Sequence, residues 1–169
     1  MISATADASA PGVPGFVESA FGPLVYQAAQ RCLSTRPGDG ARTAVVLASR
    51  MGDATTLDLG SRRLVAGQVH NPLLFMQSTA NAILGHISRD FGITGPLLSL
   101  STMDDIGTEL RATARLLFED GELDRVLLIG VELAGTARTA AACRELHTEP
   151  PATDSAFAIL VEQNEDTKP

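Results

Sequence analysis

The sequence predicts an α/β fold with a mixed, mainly parallel sheet flanked by helices. Continuous apolar runs of strand length recur, at Thr43 to Ser49 (TAVVLAS) and at Asp124 to Leu133 (DRVLLIGVEL). Runs of this kind suit strands buried on both faces. Between them lie stretches with apolar residues at three- and four-residue spacing, so strand and helix alternate. With 169 residues, 44% of them hydrophobic, the chain has the size and composition of one globular domain.

Residues 1 to 15 are rich in Ala, Ser, Pro and Gly and read as a flexible arm. The domain proper then runs from 16 to 163. Phe16 to Leu33 is an amphipathic helix on the spacing of Phe21, Leu24, Val25, Ala28, Ala29 and Cys32, with Pro23 near its start. Arg36 to Gly40 is a turn and Thr43 to Ser49 the strand after it. Met51 to Gln68 reads as irregular and Pro72 to Met76 as a short apolar turn. Ser78 to Phe91 is helical and ends at Gly92 to Gly95. Leu97 to Thr102 (LLSLST) is a strand, and Asp104 to Asp120 is a helix carrying Ile106, Leu110, Ala114 and Leu117. Asp124 to Leu133 is the strongest strand, Ala134 to Leu146 a helix, and Ala156 to Glu162 (AFAILVE) a last strand, which the final helix-to-strand step can add to the sheet as an antiparallel partner. Asn164 to Pro169 is a polar tail.

Composition excludes several classes. The net charge is −7 and the 13 basic residues are scattered, so no basic stripe for nucleic acid is present. No stretch has the roughly 18 apolar residues needed to span a bilayer. Met1 to Ala10 lacks the pattern of a secretory signal. Cys32 and Cys143 are well separated, without metal-ligand spacing, which fits a reducing compartment. These features lead to the expectation of a cytoplasmic protein with no metal and no cofactor.

Two segments carry chemistry-bearing detail. One is the run from Asn71 through Asn81, Ala82, Gly85 and His86 to Gly95 and Pro96; the other is Leu97 to Thr102 followed by Met103, Asp104, Asp105, Ile106 and Gly107. Together they resemble the β-ketoacyl synthase family of the thiolase superfamily: an Asn-Ala-x-x-Gly-His stretch, a Gly-Pro, a strand, then a nucleophile opening a buried helix. Leu128 to Glu132 and Ala156 to Glu162 resemble later strands of the same family. The resemblance spans about residues 22 to 163 and implies half of a thiolase-type fold. It places Asn81, His86, Gly95, Pro96 and Thr102 at or beside the site, with His86 structural.

A cysteine at such a junction is activated by the helix dipole and free N–H groups, and takes an acyl group as a thioester. Counted from Gly95-Pro96, that position holds Asp104, with Asp105 beside it. The simplest role for such an acid is helix capping, for which Thr102 or Asp104 is the expected residue. The histidines of the condensation reaction belong, by the same resemblance, to a second half of the fold. The arm takes the place of the family's opening strand. The resemblance therefore implies a pseudoenzyme: a non-catalytic ketosynthase-like subunit of a polyketide, aryl-polyene or fatty-acid-type pathway.

Such a subunit would form a homodimer, pair with a ketosynthase as a heterodimer, or bind an acyl carrier protein. Leu97, Leu98 and Leu100 are the interface candidates, because the family pairs this strand across its dimer; a central strand within one chain is the alternative. The helix from Asp104 to Asp120 carries Glu109, Arg111 and Arg115, too polar for burial on all sides, so one buried face is expected. Two other functions remain open. Met51, Leu73, Leu74, Phe75, Met76 and Met103 would line an apolar slot for an acyl-thioester or small molecule, or else form ordinary core. Asp104 and Asp105 would serve as an acid–base pair in an enzyme of altered chemistry.

Overall fold

The computed structural model describes residues 2–6, 11–68, 72–134 and 136–163. The polar tail, His70 and Asn71 lie outside the described residues. The elements in chain order are β1 (Ile2–Ala6), α1 (Phe21–Leu33), β2 (Thr43–Ser49), α2 (Ala54–Val65), α3 (Pro72–Gln77), α4 (Asn81–Phe91), β3 (Leu97–Ser101), α5 (Ile106–Glu119), β4 (Arg125–Glu132), α6 (Ala137–Glu145) and β5 (Ser155–Glu162). They form one five-stranded sheet in the order β1-β5-β4-β2-β3. The pairs β2–β3 and β2–β4 are parallel, and β4–β5 and β1–β5 are antiparallel. This is the mixed α/β sheet that the sequence predicts.

The central strands are β2 and β4. Every residue of β2 is buried, and β4 is buried from Arg125 to Val131, as their unbroken apolar sequence requires. One face of the sheet packs Val45, Leu47, Leu127 and Ile129 against α1 and α4. The opposite face packs Ala44, Val46, Val126 and Leu128 against Leu110 and Ala114 of α5. Arg111 and Arg115 of α5 are exposed, so the helix has the single buried face expected of it.

Three expectations are corrected. Residues 1 to 15 are not wholly a flexible arm: Ile2–Ala6 is an edge strand paired with Ala156 to Leu160. Its residues alternate apolar and polar, Ile2, Ala4 and Ala6 against Ser3 and Thr5, a strand period that is short and made of small side chains, and the ladder to β5 fixes it in place. Met51 to Gln68 contains helix α2, started by Asp53, whose carboxylate accepts from Thr56 N at 3.1 Å. Its apolar positions do not form a stripe, since Leu64 and Val65 are exposed. The segment from Pro72 is a short helix rather than a turn.

Helix boundaries also move. The first helix starts at Phe21, and Phe16 instead turns back, through an isolated bridge to Val13, and lies against Gly22. Helix α4 stops where Gly92 adopts the left-handed conformation, φ 64°.

Candidate functional site

Parallel strands β2, β3 and β4 end together, at Ser49, Ser101 and Glu132. From β2 the chain travels to β3 on one side, and from β4 to β5 on the other. The gap between the ends of β2 and β4 is therefore a topological switch point, where open α/β sheets hold ligands. The residues lining it are tied to one another. Arg50 N donates to Glu132 Oε1 at 2.7 Å, across 82 positions of sequence. Ser101 Oγ donates to the Arg50 carbonyl at 3.3 Å, and Gly52 N donates to Ser49 Oγ at 3.0 Å. Burial pushes the Glu132 carboxyl above its ordinary value, against the opposing pull of the Arg50 N–H and the Arg50 charge.

The junction from β3 to α5 follows this cluster. Thr102 is buried, its N donates to the Ser49 carbonyl at 3.4 Å, and its Oγ1 accepts from Asp104 N at 3.1 Å. Asp104 is exposed. The cap of α5 is neither Thr102 nor Asp104 but Asp105, whose Oδ2 accepts from Thr108 N at 2.7 Å and from Thr108 Oγ1 at 2.8 Å. Those bonds, with Arg111 at 4.0 Å, hold the Asp105 carboxyl below its usual value. An acid–base pair needs two carboxyls whose pKa values are driven apart, one of them upward. Asp105 is bound into a cap and lowered.

Gly95 and Pro96 set the entry to β3. A side chain at Gly95 would collide with the Thr43 carbonyl. Thr94 N and Gly95 N both donate to the Gly40 carbonyl, at 3.0 and 3.1 Å, and the Pro96 carbonyl accepts from Val45 N at 2.9 Å. The motif is thus a close approach between two chain segments at the amino end of the sheet, opposite to the Arg50–Glu132 end.

His86 lies on α4 in a cluster of its own. Its Nε2 is 3.4 Å from Asp90 Oδ2, and the Tyr26 hydroxyl donates to the same oxygen at 3.0 Å. Arg89 Nη2 stands 3.0 Å from His86 Nδ1 and 3.3 Å from its Nε2. The rings of Phe16 and Tyr26 meet the imidazole edge-on, at centroid distances of 6.2 and 5.4 Å. Arg89 and Tyr26 hold the Asp90 carboxyl low, and burial, with the Asp90 contact, raises the Tyr26 hydroxyl. The cluster ties the 13–16 turn, α1 and α4 together, away from the strand ends. Asn81 is exposed at the first position of α4.

The six residues of the expected apolar slot do not gather into one buried group among the described residues. Leu73, Phe75, Met76 and Met103 are 58–65% exposed, Met51 is half-buried, and Leu74 alone of the six is core. A cavity of about 340 Å³ does lie between α2 and the start of α6, lined by Thr55, Asp58, Arg62, Ala134, Thr136 and Ala137, beside the Arg138–Asp58 ion pair at 2.5 Å. The interface candidates Leu97, Leu98 and Leu100 are half-buried on β3, the outermost strand on its side of the sheet. The alternative of a central strand is thereby overturned.

Sequence reading missed Arg50, Asp53 and the Gly130–Phe157 contact, and gave Glu132 no role. Only Asp53 had a local signal, an Asp three residues before Thr56. Among the described residues no helix is long and apolar enough to cross a membrane, and no three His, Cys, Asp or Glu side chains converge as for a metal ion.

Comparison with known proteins follows the same lines. One solved structure similar to this chain is a ketosynthase in complex with its chain length factor from Xenorhabdus doucetiae. It has TM-score 0.72 and 19% identity, over 93% of this chain and 63% of that one. The ishigamide ketosynthase/chain length factor has TM-score 0.72 and 16% identity, over 94% and 48%. A β-ketoacyl synthase from Burkholderia phymatum has TM-score 0.70 and 17% identity, over 94% and 46%. This chain thus spans between about half and two thirds of the chains that it matches. No curated protein matches it. The family described as the β-ketoacyl synthase N-terminal domain matches residues 25–157, most of the chain and all of the sheet but β1 and part of β5, and the protein belongs to that family.

Proposed function

We propose that this chain is a non-catalytic ketosynthase-like subunit of a polyketide-type pathway, and that it pairs with a ketosynthase through the outer edge of β3. The observation that carries the reading is the open edge itself. Pro96 O and Thr102 N turn toward β2, and strand geometry alternates. The backbone groups of Leu97, Ser99 and Ser101 therefore turn outward. An unpaired, leucine-rich edge is a template for another strand. The other edge, β1, carries a charged side chain: Arg31 donates to the Thr5 carbonyl.

Two further observations favour pairing over condensation. The position that the family resemblance assigns to the nucleophile is Asp104, exposed and outside the cap. Leu73, Phe75, Met76 and Met103 leave apolar surface open that a partner would cover. The three matched structures include two whose descriptions join a ketosynthase to a chain length factor. In one of these the matched chain is short enough that this chain spans 63% of it.

The test is co-expression with the ketosynthase and the acyl carrier protein of the same pathway, followed by native mass spectrometry. A one-to-one complex with the ketosynthase is expected, and it is lost in Ser99→Pro, which removes an outward N–H from the edge. A monomer that binds neither protein overturns the proposal. A homodimer that excludes the ketosynthase keeps the edge but replaces the partner.

A further inference from the structure

Arg50 sits at the switch point without a charged partner. Its backbone N–H is bound to Glu132, yet its Nε is buried and has no hydrogen-bond partner. Among the described residues its guanidinium forms no ion pair within 4 Å, although its charge is felt at the Glu132 carboxyl. A buried orphan donor on a charged group is costly and calls for an occupant. The loop that carries it is held from three sides, by Glu132, Ser101 and the Ser49–Gly52 bond. Arg50 is therefore presented by a braced loop, which is what a recognition residue requires.

The charge nearby narrows the ligand. Arg50 is the one cation in the bonded cluster, and Glu132 and the buried Asp53 are acids in or next to it. A dianion such as phosphate would face more negative charge than a single arginine offsets. A monocarboxylate matches the guanidinium fork with two oxygens and adds one charge. We propose that Arg50 and Glu132 form a binding site for a small monocarboxylate at the carboxyl ends of β2 and β4, with the Arg50 guanidinium as the donor. Glu132 acts as a positioning residue, holding the Arg50 backbone in place.

The experiment is isothermal titration calorimetry of the full chain with butyrate, with butyramide and inorganic phosphate as matched probes. Saturable butyrate binding is expected, with butyramide and phosphate at least tenfold weaker. Arg50→Gln should weaken butyrate by roughly ten- to a hundredfold, the worth of a charge-assisted bond. Arg50→Lys, which retains the charge but lacks the fork, should fall between the two. Circular dichroism and urea unfolding of each variant establish that it is folded. No saturable butyrate binding overturns the site, with water as the partner of Nε. Equal binding by folded Arg50→Gln, or by butyramide, overturns the role of Arg50. Phosphate binding tighter than butyrate overturns the ligand class.

Discussion

The ring of Phe157 on β5 occupies the space that a side chain at Gly130 on β4 would need. The two residues are direct partners in the antiparallel ladder, and Ile106 at the start of α5 closes over the same point, 3.1 Å from where the Gly130 Cβ would stand. The absence of a side chain in the middle of the most apolar strand is therefore a packing requirement. An aromatic ring laid over a strand glycine replaces the missing side-chain contacts and keeps the strand buried.

Gly130→Ala should destabilise the fold by about 1–3 kcal/mol, the usual cost of overpacking a filled site. Phe157→Leu in the same background should recover part of that loss, because the colliding ring atoms are gone. Urea unfolding of the two single variants and the double variant measures the coupling. Additive losses would contradict the contact.

At the start of α5 the two neighbouring acids should behave differently. Asp105→Ala removes the cap to Thr108 and should lower the urea midpoint, whereas Asp104→Ala should leave it unchanged. The Asp105 carboxyl is held low in the folded state. Its contribution is thus present above the unfolded aspartate value and is lost as the pH falls through the folded one. The difference in stability between wild type and Asp105→Ala should therefore shrink in acid.

Glu132 has the opposite sign. Burial raises its folded value, so ionising it is harder in the folded chain than in the unfolded one. Its contribution is most favourable below the unfolded glutamate value and declines as the pH rises through the raised folded value. Glu132→Gln keeps an oxygen for Arg50 N and has nothing to ionise. Stability of wild type relative to this variant should fall between those two values and level off above them, as followed by thermal unfolding across pH.

At the entry to β3, Gly95→Ala places a methyl group against the Thr43 carbonyl. Backbone cannot move aside as a side-chain tip can, so β3 must shift relative to β2. The expected result is faster amide exchange at Val45, whose N–H bonds the Pro96 carbonyl, together with a lower thermal midpoint. Unchanged exchange at Val45 would refute this account.

Much of the architecture is written locally. The apolar runs of β2 and β4 identify themselves as buried strands, the spacing of Leu110, Ala114 and Leu117 marks the buried side of α5, and Gly92 stops α4. These features are legible because each depends on the chemistry of a few adjacent residues. The family is legible too, through the run from Asn81 to Thr102. Tertiary structure decided the rest. Ile2–Ala6 is too short and small-chained to hold a strand by itself, and β5, at the far end of the chain, offers the ladder that orders it. Asp105 rather than Asp104 caps α5 because the chain bends at Thr102, bonded to the end of β2. Leu73, Phe75 and Met76 of the expected slot are exposed, while Leu74 among them is core, because the short helix α3 turns a single residue inward. Arg50 and Glu132 meet only when β2 and β4 become neighbours, since contacts between distant segments leave no local periodicity to read.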